Sequence, residues 1–223
     1  MDKLVRKIEI PLARKIIEKA GLYIAKKEDL DTLAEVSANA YQDYPLHNWL
    51  TKGKYDKKAA KLLMQITLKT MTEDAIIYAD SEEMNGFAAW LPFGFTGNQT
   101  WPLLKNGGLK LFFHAGFGLI GRLLTYEKYA MNLKKEFTDN YDWYLFNLSV
   151  KKEAQGKGIA SKLMRPMLEF CDNEKMVAYL ETNKENNVGL YNHYGFELKK
   201  EELIPKTNVM HYAMVRQPID KNN

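Results

Sequence analysis

The segment from residue 143 to residue 171 constrains the fold most, because three contrasting patterns follow one another within it. The letters WYLFNLSV (143–150) form a near-continuous apolar and aromatic run of strand length, which is typical of a strand buried on both faces. A polar stretch with two glycines follows at 151–158. Helical spacing then predicts one buried stripe of Ile159, Leu163, Met164, Met167 and Cys171. The segment therefore predicts a central strand that turns tightly into an amphipathic helix.

The turn before this helix favours an anion. Gly156 and Gly158 have no side chain, so they allow a tight turn and let a ligand approach the backbone closely. The first N–H groups of a helix have no intrahelical acceptor and lie at the positive end of its dipole. Phosphate is the first ligand to consider, although the glycines alone would also suit a simple strand-to-helix turn.

The common nucleotide motifs are absent from the sequence. No stretch supplies the G-x-x-x-x-G-K-[ST] pattern of a P-loop. The dinucleotide fingerprint G-x-G-x-x-G fails because Ser161 occupies the place of its third glycine, late in the chain. These two nucleotide-binding classes are therefore disfavoured.

The first half of the chain predicts an alternation of strands and helices. Residues 23–50 begin with a short strand in LYIAKK, followed by a helix from about Asp29. Residues 57–71 carry one apolar stripe of helical spacing, and AIIYAD (75–80) with GFAAWLPF (86–93) predicts a hairpin.

Residues 103–124 are apolar enough to raise the question of a membrane span. Lys105, Lys110, His114 and Arg122 argue against one, because such groups are costly in a bilayer. We expect one or two helices that line a groove and cover a substrate. After residue 171, a strand (VAYLET), a short helix (NVGLYNHYG) and two strands (FELKK and VMHYAMVR) are expected. Residues 1–223 are interpreted as one mixed α/β or α+β domain.

Composition narrows the classes of function. A single cysteine and 4 histidines exclude an internal disulfide and disfavour a zinc framework, so we expect an intracellular protein without a metal. The first residues mix charge with apolar side chains and do not resemble a secretory signal. A net charge of +4 without a long basic block disfavours nucleic acid and fits a small anionic ligand equally well.

Two motifs together point to a family. Residues 155–160, QGKGIA, match the pattern Q-x-x-G-x-[GA], and NVGLYNHYGFE (187–197) contains a leucine–tyrosine pair followed by glycine–phenylalanine. With one helix and one strand between them, they resemble the GNAT superfamily of acyl-CoA-dependent acetyltransferases over roughly residues 22–216. The chain departs from that pattern at Lys184, where the family usually has asparagine, and in a longer helical insertion at about 101–140.

The resemblance implies a GNAT-like mixed, mostly antiparallel central sheet flanked by helices, with two central strands that splay apart to bind CoA. Backbone groups on the first strand would contact the pantetheine chain, and the glycine loop would hold the pyrophosphate, with charge added by its lysine. The implied cofactor-binding residues are Leu148, Ser149, Val150, Gln155, Gly156, Lys157, Gly158, Ile159, Ala160, Ser161 and Asn187.

Acetyl transfer to an amine requires a base and an acid. Tyr191 matches the family tyrosine that protonates the departing thiolate, and the other interpretation is that it only packs. Glu181, at the end of VAYLET, is the favoured base, although a surface or ion-paired glutamate would also suit that position. The alternatives for the base are Tyr144, Asp142, His47 and His114.

The resulting expectation is a cytoplasmic N-acetyltransferase that transfers the acetyl group of acetyl-CoA to a primary amine of a small molecule. The alternatives are a protein or peptide N-acetyltransferase and a non-catalytic CoA-binding sensor. No nucleic-acid or membrane partner is expected, and the resemblance allows a homodimer formed through strand edges.

Overall fold

Seven strands form one sheet in the computed structural model, which describes residues 2–92, 104–138 and 142–220, with the side chains of residues 9–92, 106–138 and 142–220. The strands are β1 (Tyr23–Ile24), β2 (Ile76–Ala79), β3 (Gly86–Leu91), β4 (Asp142–Val150), β5 (Val177–Thr182), β6 (Glu197–Leu203) and β7 (Met210–Arg216). They lie in the order β1-β2-β3-β4-β5-β7-β6, and only β4 and β5 run parallel. The predicted mixed, mostly antiparallel sheet and the β2–β3 hairpin are confirmed.

Helices cover both faces of the sheet. They are α1 (Asp2–Lys19), α2 (Leu30–Ala40), α3 (Pro45–Leu50), α4 (Lys57–Met71), α5 (Leu109–Phe137), α6 (Ile159–Asn173) and α7 (Glu185–Asn192). Side chains alternate across β3: Trp90 packs in a core with α1 and α6, whereas Phe87 packs in a second core with α2 and α4. This alternation follows from the pleat, which sends successive side chains to opposite faces.

The helix predicted from about Asp29 is interrupted. α2 ends at Ala40, the chain turns through residues 41–44, and Pro45 opens α3. Tyr44 is extended (φ −86°, ψ 123°), since a proline disfavours the helical conformation in the residue before it. The interruption directs the aromatic residues of this turn toward the sheet.

The stretch predicted as a substrate cover, residues 103–124, contains the first part of α5, which continues to Phe137. Its first part bends at Gly116, where a φ of 73° departs from helical geometry. In the described parts of the chain, no helix is long and apolar enough to cross a membrane. Residues 101 and 140, the bounds of the predicted insertion, lie outside the described residues, and so does Phe93 of the second predicted hairpin strand. The interpretation of residues 1–223 as a single domain stays a prediction.

The parallel strands β4 and β5 pair only over part of their length. Their last paired residues are Leu145 and Leu180, although β4 continues to Val150 along β3 and β5 continues to Thr182 along β7. A bulge at Phe146 shifts the register of β4 against β3 at the same level. Beyond Leu145, the edge of β4 that faces β5 therefore has no partner among the described strands.

Candidate active site

The glycine loop forms an open backbone cradle at the start of α6. Gly156 (φ 76°) and Gly158 (φ 79°) both adopt the left-handed conformation, and a Cβ on either would meet no atom of the described residues within 4 Å. The first N–H group of this helix to find an intrahelical partner is that of Lys162, which donates to the Gly158 carbonyl at 3.0 Å. The N–H groups of residues 159–161 thus have no intrahelical acceptor, and their contact with a pyrophosphate stays a prediction.

Two side chains next to this cradle differ in whether they are free to contact a ligand. Lys157 is exposed and can add positive charge near an anion. Gln155 instead donates its amide to the Val150 carbonyl at 3.1 Å, which fastens the loop to the end of β4. The arrangement fits the diphosphate of CoA, with backbone groups as the main donors.

Side chains of β4 beyond Leu145 are largely engaged within the protein. Ser149 is 1% exposed and donates to Oδ1 of Asn147 at 2.9 Å, and Asn147 donates to the hydroxyl of Tyr41 at 3.0 Å. Ser149 would therefore serve a pantetheine chain through its backbone, as would Leu148 and Val150 beside it. Asn187, also predicted to contact CoA, donates to Oγ1 of Thr182 at 3.0 Å and so ties α7 to the end of β5.

A cavity of about 260 Å³ lies between the α2–α3 turn, α4, α5 and the diverging strands. Tyr41, Tyr44 and His47 form its aromatic wall, in which His47 stacks on Tyr41 with ring centroids 5.1 Å apart. Five leucines and three methionines are among the other lining residues. Its acidic residues are Glu127 of α5 and Glu181 of β5.

Glu181 lies in this cavity with its side chain only 5% exposed. Burial raises the pKa of Glu181 to about 7, against hydrogen bonds from Tyr179 and Tyr144 and the charge of Lys134, which lower it. The Tyr179 hydroxyl donates at 2.8 Å and the Tyr144 hydroxyl at 3.4 Å. A carboxylate with a pKa near neutrality is suited to accept and release a proton at physiological pH.

Tyr191, the predicted acid, lies on α7 and is 7% exposed. Its ring packs against Phe196, and burial together with the neighbouring Tyr41 and Tyr44 raises the pKa of Tyr191 well above its ordinary value. No hydrogen bond engages its hydroxyl within the described part of the chain. The phenol therefore holds its proton at neutral pH, as a donor requires.

The alternative bases are placed less favourably than Glu181. Asp142 is fully buried in an ion pair with Lys134, 2.8 Å away. His114 lies 3.0 Å from Asp56 and is not among the residues that line the cavity. His47 does line it, but burial lowers the pKa of His47 to about 4, which makes it a weak base. Tyr144 donates to Glu181.

Several residues of the site are absent from the sequence-based prediction, among them Tyr41, Tyr44 and Glu127. Tyr41 and Tyr44 reach the cavity because the helix ends before Pro45, and that proline was the available signal. Glu127 lies on α5 within a run of mixed charges, a pattern that is typical of a solvated helix face and gives no signal of a cavity.

Comparisons with known proteins agree with the fold and the motifs. Residues 120–198 match the family model for the acetyltransferase (GNAT) domain. An uncharacterized N-acetyltransferase of Schizosaccharomyces pombe is 24% identical over 212 residues, which cover 86% of this chain and 81% of that protein.

Solved structures with the same fold include two acetyltransferases. One, from Corynebacterium glutamicum, is described as histone acetyltransferase HPA2 and related acetyltransferase. It superposes with a TM-score of 0.62 at 18% identity, and the match covers 91% of this chain and 98% of that chain. The other is arylalkylamine N-acetyltransferase 2 of Aedes aegypti, with a TM-score of 0.56 at 19% identity. This match covers 88% of this chain and 97% of that chain. At these identities the likeness concerns the fold.

Proposed function

Because this chain is an N-acetyltransferase of the GNAT type, we propose that it transfers the acetyl group of acetyl-CoA to the primary amine of a small molecule. The observation that carries the substrate class is the cavity of about 260 Å³ with Glu181 in its wall. A space of this size, covered by α5 and lined mainly by apolar and aromatic side chains, suits a small amine better than an extended peptide.

The positions of the predicted groups suit a direct transfer. The diphosphate of CoA would bind the N–H groups at the start of α6, and its pantetheine chain would follow the unpaired edge of β4. That edge leads from the glycine loop toward Leu145, at the level where β5 carries Glu181 into the cavity. The thioester would then meet an amine held in the cavity.

The chemistry divides between two side chains. The ammonium group of the substrate gives a proton to Glu181, and the neutral nitrogen attacks the thioester carbonyl carbon. The new C–N bond forms as the C–S bond breaks, and the sulfur leaves with the bonding electron pair. Tyr191 gives its proton to that thiolate. The new amide nitrogen loses its remaining extra proton, which restores Tyr191 through solvent, and Glu181 releases the proton that it accepted to solvent.

Release of free CoA thiol from acetyl-CoA tests the proposal. The purified protein is mixed with acetyl-CoA and a panel of small primary amines, alongside peptides with a free N-terminus or a lysine. Amine-dependent release on at least one small amine, with acetylated product seen by mass spectrometry, is expected. Release on peptides alone would replace the small amine with a protein or peptide acceptor.

A further inference from the structure

His211 is a buried histidine that the proposed chemistry does not use. It lies on β7, is 0% exposed and is not among the residues that line the cavity. Its Nε2 has no hydrogen-bond partner among the described residues. A buried polar group without a partner is costly, so its presence in a folded protein calls for an explanation. The group that Nε2 faces is the carboxylate of Glu181, whose Oε2 is 4.0 Å away.

The sheet places His211 and Glu181 on one face. Glu181 of β5 pairs with Ala213 of β7, and His211 comes two residues before Ala213 on the same strand. Side chains two residues apart on a strand point to the same face, so His211 and Glu181 are diagonal neighbours across the two strands. Since His211 lies outside the cavity wall, it can act on Glu181 without touching a substrate.

The tautomer of His211 follows from its other ring nitrogen. Nδ2 of Asn183 donates to the carbonyl of Met210 at 2.8 Å and lies 3.4 Å from Nδ1 of His211. An amide nitrogen donates hydrogen bonds and does not accept them, so Nδ1 of His211 is the acceptor and the neutral ring carries its proton on Nε2. The N–H group without a partner therefore lies on the side of Glu181.

The ring of His211 is neutral at physiological pH. Burial lowers the pKa of His211 to about 4, although the charge of Glu202 on β6 acts in the other direction. Tyr126 and Tyr129 of α5 also face it, with ring centroids 6.1 Å and 5.1 Å from its own. A cationic ring would need an acceptor at Nδ1, where Asn183 presents a donor. The contact with the neighbouring carboxylate is thus that of an N–H group and not that of a second charge.

The two oxygens of Glu181 are held unequally. Oε1 accepts from the Tyr179 hydroxyl at 2.8 Å, whereas Oε2 accepts from the Tyr144 hydroxyl at 3.4 Å. The other titratable groups that act on this carboxylate are Tyr44, Tyr126, Tyr129 and Lys134. A buried carboxylate needs donors more when it is ionised than when it is protonated. A movement of Oε2 by about 1 Å would bring it within hydrogen-bond distance of Nε2 of His211.

We infer that His211 is a positioning residue for the base, and that its Nε2–H donates to Oε2 of Glu181 when the carboxylate is ionised. The inference rests on the proposed function, in which Glu181 takes the proton of the amine. A donor to the ionised form favours that form and holds the carboxylate in one orientation. His211 keeps its own proton throughout the reaction.

The pH profile of kcat/KM tests the role of this N–H group. His211→Phe keeps a ring but removes both nitrogens, and it should move the rise of kcat/KM up by about one pH unit, because the ionised carboxylate loses a donor. Thiol release from acetyl-CoA by the full chain, with an amine that the wild type acetylates, measures the profile. An unchanged midpoint in His211→Phe would overturn the inference.

Two amide variants separate the position of the donor from its polarity. The amide nitrogen introduced by His211→Gln can take the place of Nε2, whereas that of the shorter His211→Asn reaches only the place of Nδ1. His211→Gln should therefore keep the midpoint close to the wild-type value, and His211→Asn should shift it as His211→Phe does. Equal shifts in the two amide variants would tie the effect to packing and reject the inference.

The tautomer can be observed directly in the wild-type protein, without any substitution that could disturb folding. NMR of the chain with isotope-labelled histidine should show His211 as the neutral ring with its proton on Nε2 at pH 7; the signal is assigned by its loss in His211→Gln. A proton on Nδ1, or a cationic ring at this pH, would reject the inference.

A second NMR titration separates this inference from the proposed function, because it needs no turnover. With isotope-labelled glutamate, the carboxyl signal of Glu181, assigned by its loss in Glu181→Gln, should titrate about one pH unit higher in His211→Phe than in the wild type. If this shift is found but no amine is acetylated, only the proposed function fails. Absence of the shift rejects the inference whether or not an amine is acetylated.

Discussion

The hydroxyl of Tyr44 accepts a hydrogen bond of 2.8 Å from the backbone N–H of Asn183, 139 residues further along the chain. The same hydroxyl lies 3.0 Å from Oγ1 of Thr182. The turn between α2 and α3 is thereby fixed to the end of β5, next to Glu181. One phenol thus joins the aromatic wall of the cavity to the strand that carries the proposed base.

Tyr44→Phe should lower the free energy of unfolding by about 1–3 kcal/mol, because the buried N–H of Asn183 loses its acceptor. Urea denaturation followed by circular dichroism measures the change. Tyr23→Phe is the matched control, since the Tyr23 hydroxyl also makes a side-chain hydrogen bond, to Asp29, but at a more exposed site. An equal loss of unfolding free energy in the two variants would show that the Tyr44 hydroxyl contributes no more to stability than the Tyr23 hydroxyl.

Gly158→Val should weaken CoA binding at least tenfold, because its side chain would enter the open space in front of the α6 N-terminus. The left-handed conformation adds a strain of about 1–2 kcal/mol. Gly21→Val separates the two effects, since Gly21 also has a positive φ (70°) and open space but lies outside the loop. Calorimetry with CoA decides: unchanged affinity in Gly158→Val, or equal weakening in both variants, would remove the loop from the binding site.

Tyr191→Phe should lower kcat about a hundredfold or more, as expected for the loss of a proton donor, and leave the Kd for CoA close to the wild-type value. Tyr194→Phe, three residues further on, past the end of α7 and less buried, is the control for packing and should retain activity. Steady-state thiol release measures kcat, and full activity of Tyr191→Phe would deny the hydroxyl a role as the acid.

The pH profile of kcat/KM should rise through about 7, because Glu181 accepts a proton only after losing its own. Glu181→Gln should lower kcat about a hundredfold to ten-thousandfold and abolish that limb of the profile. Thiol release between pH 5 and pH 9 at fixed ionic strength measures both. If Glu181→Gln still showed this rise of kcat/KM near pH 7, the rise would belong to another titrating group.

The same carboxylate should make stability depend on pH. Between the ordinary value of 4.5 and about 7, the folded chain holds a proton on Glu181 that the unfolded chain releases, so stability falls as pH rises across this window. Glu181→Gln removes this effect and should be the more stable protein at pH 8, by at most about 3 kcal/mol. The advantage should vanish at pH 4. Urea titrations at both pH values measure the difference in unfolding free energy between the variant and the wild type. A difference that is the same at pH 4 and pH 8 would contradict the raised pKa of Glu181.

Local features of the fold were predictable from the sequence. The apolar run of β4, the two glycines and the stripe of α6 follow one another directly, so strand, turn and helix are determined by neighbouring residues. The positive φ at Gly156 and Gly158 is a conformation for which glycine is the default residue.

The cavity was not predictable in the same way, because distant stretches of chain build it. Tyr44, Glu127 and Glu181 come from a turn, a long helix and a strand end, and no periodicity relates them. Glu127 follows a regular helical pattern that does not reveal which face meets the sheet. The pKa of Glu181 likewise depends on burial by residues that the sequence alone does not bring together.

The position of β7 has a consequence for how the chain is made. β7 follows the other six strands in the sequence, yet it lies inside the sheet between β5 and β6. During synthesis on a ribosome, β5 and β6 therefore emerge before the strand that joins them. Until Met210–Arg216 has left the exit tunnel, β6 has no neighbour in the sheet and the open edge of β5 is available to other chains.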